Sequence, residues 1–145
     1  MKRSAGILPF RMKDGRLEVF LGRFGGPFWK KKRRSWGIIK GEVEAGESDL
    51  EAAKREFFEE TGKRIEGDFI DLGEVKTSNK IVHIYAVKAD LDTDIQSNEV
   101  RMEYRGRVLR FPEIEEARWF GLDEAKKRIV KSQAIFLDRL SSIVA

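Results

Sequence analysis

The sequence has no cysteine, so it holds no disulfide framework, no thiolate zinc site and no cysteine nucleophile. It has one histidine, His83, which rules out a multi-histidine metal site and forces any serine-histidine-acid triad through that residue. No apolar run approaches a membrane span. The stretch 5–10 behind the basic start contains Pro9 and is too short for a signal-peptide core. Acidic side chains must therefore hold any metal, and a cytoplasmic location is the expectation.

Hydrophobic residues make up 41% of the 145 and charged residues 37%. That composition suits one compact domain over residues 1–145 with a heavily charged surface. The net charge of +4 and a pI near 9.4 favour anionic partners without choosing between nucleotide and nucleic acid.

Residues 4–12 and 17–21 alternate around Asp14-Gly15, which predicts an opening hairpin. Gly25-Gly26-Pro27 breaks the pattern, and an aperiodic loop runs on to the cluster Lys30-Lys31-Lys32-Arg33-Arg34. A short apolar run, 36–39, leads to Gly41. Ser48 with Glu51 is a capping-box pattern, Leu50, Ala53 and Phe57 form one stripe, and Gly62 is placed to end a helix over 49–61. Strands are expected over 69–75 and 81–87 with a turn at Ser78-Asn79, then a long polar loop from 89 to 112 with a strand near 108–111. Trp119-Phe120 reads as a short strand, and helical spacing returns in two pieces near the C-terminus. The order argues for a mixed sheet packed between helices, an α/β (α+β) fold.

On the 49–61 helix, Glu56, Glu59 and Glu60 fall within a narrow stripe, so their carboxylates can converge. Glu56 and Glu60 repel at i,i+4, and acids in the last turns face the negative end of the helix dipole. A hard divalent cation offsets that repulsion: magnesium takes oxygen ligands from a few carboxylates and from substrate phosphates. A bland reading also fits an isolated R-E-x-x-E-E, namely a solvated acidic face with Arg55 as a surface ion-pair partner. The surrounding residues decide against it.

Gly41, then Glu47, then Arg55-Glu56-Phe57-Phe58-Glu59-Glu60-Thr61-Gly62, at the spacing G-x5-E-x7-R-E-U-x-E-E-x-G-U, resembles the Nudix box. The departure is Lys63, where the family has an apolar residue that Ile65 is placed to replace. The resemblance implies an α/β/α sandwich. It also implies a magnesium-dependent hydrolase, or one using manganese in its place, that splits a pyrophosphate bond in a nucleoside diphosphate linked to another group. By the same resemblance Glu56 and Glu60 are metal ligands, Glu59 is a further ligand or the general base, and the Gly41 carbonyl adds a ligand. Arg55 and Glu47 form an ion pair that orients the carboxylates. Residues 25–29, 111–113 and 136–140 are similar to a subgroup described only as predicted nucleoside-triphosphate pyrophosphohydrolases.

Lys40 and Arg23 are candidate phosphate-binding cations, and Trp29, Trp36 and Tyr104 candidate stacking residues, each weighed against an ordinary surface or packing role. Trp36 is expected in the core, and His83 as a packed or edge residue. The general base lies in the box or on a later loop, where Glu103, Glu113 and Glu115 are the candidates. The rival to an enzyme is a Nudix-fold module that binds a nucleotide or RNA without cleaving it, but such modules usually lose a box glutamate and this chain keeps all of them. A further reading makes Lys30 to Arg34 a nuclear-localisation or RNA-binding patch. No membrane partner is expected.

Overall fold

In the computed structural model, residues 1–144 are described, and the elements follow in chain order. They are β1 (Lys2–Lys13), β2 (Arg16–Phe24), β3 (Trp36–Gly37), β4 (Ile39–Glu42), α1 (Asp49–Thr61), β5 (Ile70–Lys76), β6 (Lys80–Lys88), β7 (Glu99–Tyr104), β8 (Arg107–Pro112), β9 (Ile114–Gly121), α2 (Leu122–Arg128) and α3 (Ala134–Val144). Residues 4–10 of β1 are all buried, as a strand covered on both faces requires. β1 is the hub of the main sheet. One edge pairs parallel with β6; along the other, residues 4–7 pair with β4 and residues 10–13 with β2. β2 continues outward to β3 and β9, and β5 lies beyond β6.

Side chains of successive strand residues point to opposite faces, so Ile7 and Leu8, Phe20 and Leu21, and Ile38 and Ile39 each split between two cores. Ile7, Phe20 and Ile39 pack with Ala52, Ala53 and Phe57 of α1. Leu8, Leu21 and Ile38 pack with Ile129 and with Phe136, Leu137 and Leu140 of α3. A helix on each side of one mixed sheet is the α/β/α sandwich expected. Ile65 is 4% exposed within the α1-side core, while Lys63 bonds Asp92. Trp36 is buried against Phe120.

The opening hairpin turns on Asp14 and Gly15, both at positive φ, and helix α1 spans the expected residues. In the stretch 89–112 the strand expected near 108–111 is present as β8, but it is half of a hairpin that was not expected: β7 pairs with it, turning on Arg105 and Gly106 at positive φ, as an arm outside the main sheet. Its apolar side, which includes Met102, Tyr104, Leu109 and Phe111, is only half-buried, so the alternation is diluted by arginine and glutamate. β9 is also longer than the Trp119-Phe120 pair, because Glu115, Glu116 and Arg118 mask its inward residues. No described helix is long and apolar enough to cross a membrane.

Candidate active site

Helix α1 is fixed at both ends. The Ser48 side chain accepts from the Glu51 N–H and the Glu51 carboxylate accepts from the Ser48 N–H, while Gly62 closes the helix in the left-handed conformation. Its last turn contains no basic residue, although Glu59 and Glu60 lie there. The helix thus carries acids at the end where its dipole disfavours them.

Arg55 gathers the acids. Its Nε donates to Glu47 Oε2 at 2.7 Å and its Nη2 to Glu47 Oε1 at 2.9 Å, a two-point pairing. Nη2 also donates to the Glu42 carbonyl at 2.9 Å, tying the helix to β4. Nη1 donates to Glu56 at 2.9 Å and to Glu59 at 3.2 Å. The bond to Glu47 is the largest cause of the raised Arg55 pKa, and the same bond holds Glu47 below the usual carboxylate range.

Glu56 lies against the backbone of β4 at Gly41. A Cβ on Gly41 would sit 2.0 Å from the Glu56 carboxyl carbon, so this approach requires glycine. Burial raises the Glu56 pKa, with Arg55 opposing and Glu59 and Glu113 adding to the rise. Glu60 is 1% exposed, and among the described residues no donor reaches either carboxylate oxygen. Burial first, then the facing Glu113 carboxyl, push its pKa up to about 8. A buried carboxylate with both oxygens orphaned is stable only with a proton or a cation. Glu113 follows the arm directly, and its carbonyl accepts from the Gly25 N–H at 3.0 Å. Lys40 is drawn down to about 8 by burial and by the neighbouring Lys80 ammonium, with Glu113 and Glu56 opposing.

The structure therefore brings together Gly41, Glu47, Arg55, Glu56, Glu59, Glu60, Lys40 and Glu113. An all-oxygen donor set with an orphaned buried carboxylate and a glycine cradle fits a hard divalent cation. The other expected residues are placed less directly. Arg23 donates to the Lys30 carbonyl at 3.2 Å; Trp29 packs on Phe24 and carries the Lys32 ammonium 5.0 Å above its ring. Glu103 is exposed on the arm, and Glu115 lines a groove beside it.

A second titratable cluster was not legible beforehand. One oxygen each of Asp49 and Glu74 and a ring nitrogen of His83 lie within 4.8 Å of one another. Arg3 already bonds both acids, and His83 meets Asp49 at 2.7 Å and Asp71 at 2.7 Å. Burial pulls the His83 pKa down, but the two carboxylates outweigh it and the net shift is upward. Two carboxylates on one ring require an imidazolium, so this cluster is neutralised by its own cations and offers a metal little. Its residues come from β1, α1, β5 and β6, and no sequence spacing connects them.

The NUDIX domain family model matches residues 1–140. An RNA pyrophosphohydrolase of Azorhizobium caulinodans is 31% identical over 119 residues, 79% of this chain and 60% of that protein. A rat asymmetrical bis(5′-nucleosyl)-tetraphosphatase is 34% identical over 98 residues, 62% of this chain and 58% of that protein. The chain thus spans less than two thirds of the length of either relative. Among solved structures, a Caenorhabditis elegans Ap4A hydrolase binary complex superposes with a TM-score of 0.68 at 21% identity, covering 99% of this chain and 98% of that one. The NUDIX domain of Shewanella oneidensis NrtR, complexed with ADP ribose, gives a TM-score of 0.70 at 14% identity, covering 99% and 88%.

Proposed function

The chain belongs to the Nudix family, and from that premise we propose that it is a magnesium-dependent pyrophosphohydrolase acting on a nucleoside diphosphate linked to another group. The observation that carries the reading is Glu60, an unpartnered carboxylate buried opposite Glu113 and one turn from Glu56. Nucleoside triphosphates, dinucleoside polyphosphates, nucleotide sugars and 5′-phosphorylated RNA ends all contain the required bond. The names of the two relatives fall within that range.

Glu56, Glu60 and the Gly41 carbonyl would hold the metal, with Glu59 as a further ligand. Bound magnesium supplies Lewis-acid polarisation of the phosphate oxygens and lowers the pKa of water. Arg55, fixed by Glu47 and the Glu42 carbonyl, holds the Glu56 and Glu59 carboxylates together at its Nη1. Lys40 neutralises phosphate charge. Glu113 accepts the proton of the attacking water. It is preferred to Glu59 because Arg55 engages Glu59, whereas among the described residues no cation pairs with Glu113.

A panel of phosphoanhydride substrates, with products identified, tests the reading. Turnover in magnesium and none in excess EDTA is expected. Binding of nucleotides without turnover of any substrate in the panel would instead establish the non-catalytic module.

A further inference from the structure

The cations of this chain are unevenly placed. Residues 23–34 carry six cations and no acid, and residues 99–112 carry four cations against two acids. These two segments hold a net +8 in a chain of net +4, so the remainder is net −4. Among the described residues none of these ten cations is in an ion pair.

The segments touch. A Cβ on Gly26 would lie 2.7 Å from the Phe111 ring, and Phe28 meets Tyr104 edge-on at 5.3 Å. Between them runs a groove of about 260 Å³ lined by Pro27, Phe111 and Pro112 together with Lys30, Arg110 and Glu115. Pro112, at one end of the groove, is followed in the chain by Glu113, whose carboxyl faces Glu60 of the proposed metal centre. On the exposed side of the arm, Arg101 stands directly opposite Arg110 in the β7–β8 ladder. Like charges directly opposite are destabilising, and an anion relieves them. Aromatic groups are interleaved: Phe28 is 49% exposed, Lys32 lies over Trp29, and Arg105 lies 5.2 Å above Tyr104.

We infer that the loop 23–34 and the β7–β8 arm form a docking surface for single-stranded RNA, whose 5′ phosphates enter the metal centre while the following nucleotides lie along the groove. Unpaired cations meet the backbone, and the exposed Phe28 ring beside the half-buried Tyr104 and Trp29 meets an unpaired base. A duplex hides its base faces, so a single strand fits better. RNA rather than DNA follows from the proposed reaction, on which this inference rests: a polynucleotide carrying a 5′ phosphoanhydride is a chain begun with a ribonucleoside triphosphate.

The test uses the full chain and a ten-nucleotide single-stranded RNA with a 5′ hydroxyl and a 3′ fluorophore, so that binding is read by anisotropy without any cleavable bond. Affinity should fall steeply with salt. Replacing Arg101, Arg105 and Arg110 with serine should weaken binding at least tenfold and flatten the log–log salt slope by about 0.7 per lost contact. The three lysine replacements should restore most of the affinity, which separates charge from damage to the arm. The serine variant should hydrolyse a nucleoside triphosphate normally but show a raised KM for the same RNA with a 5′ triphosphate. Equal affinity for a blunt duplex, or no effect of the serine variant, overturns the inference. Hydrolysis of nucleoside triphosphates without retention of RNA sinks this inference alone; retention without hydrolysis of any substrate sinks the proposed reaction and leaves the surface standing.

Discussion

Glu60 is a residue whose environment contradicts its charge, and the contradiction is measurable in the metal-free protein. Its pKa rises from 4.5 to about 8 on folding, so between those values the folded state keeps a proton that the unfolded chain has released. Stability must then fall as pH rises through that window. Glu60→Gln removes the penalty: the metal-free melting temperature should rise at pH 8 and be nearly unchanged at pH 4.5, while turnover drops by orders of magnitude. A lower melting temperature at pH 8 in EDTA would make Glu60 a structural partner instead. Arg55 is tested by a milder change. Lysine keeps the charge but loses the fork that meets Glu47 at two points and the Glu42 carbonyl at a third. We expect Arg55→Lys to lower kcat by about 10–100-fold with unchanged circular dichroism. An activity within twofold of the parent would remove Arg55 from the positioning machinery.

At the scale of elements, α1 was legible because its signals are local: Ser48 and Glu51 at the start, Leu50, Ala53 and Phe57 on one stripe, Gly62 at the end. Ser48→Ala removes one half of the capping box and should cost about 1 kcal/mol of stability. Urea unfolding checks it; a change below the error of the fit would mean that β4 and the core, rather than the cap, fix the start of the helix. The box was legible for the same reason, since glycine, arginine and glutamate spacing along one strand, loop and helix survives without tertiary knowledge. The arm was not. Its two faces differ too little in burial for alternation to stand out, and Arg105, an unusual residue at positive φ, hides the turn that Gly106 alone only hints at. Contacts between distant segments were equally invisible: Lys80 beside Lys40, and His83 between Asp49 and Asp71, join positions that no periodicity links. Glu113 was only one of three outside candidates until the fold carried it to Glu60.

The whole molecule stores repulsion that a ligand can release. Glu59 and Glu113 repel both Glu56 and Glu60, and among the described residues Arg55 is the single cation bonded to any of the four. The unfolded chain does not assemble this cluster, so a divalent ion binds the folded state alone and stabilises it by mass action. Magnesium at a hundred times its dissociation constant should therefore add about 2.7 kcal/mol. For a chain of this length that corresponds to a rise of roughly 5–10 °C in melting temperature. The rise should grow with the logarithm of magnesium concentration, reverse on adding EDTA, and shrink sharply in Glu56→Gln. It should be larger at pH 8 than at pH 5.5, because metal must displace the proton that Glu60 holds at the lower pH. Monovalent salt at matched ionic strength separates site binding from screening, since screening treats sodium and magnesium alike once ionic strength is equal. An identical shift with sodium chloride, or a shift that survives Glu56→Gln, would place the ion elsewhere on the surface and leave the orphaned oxygens of Glu60 to a shared proton with Glu113.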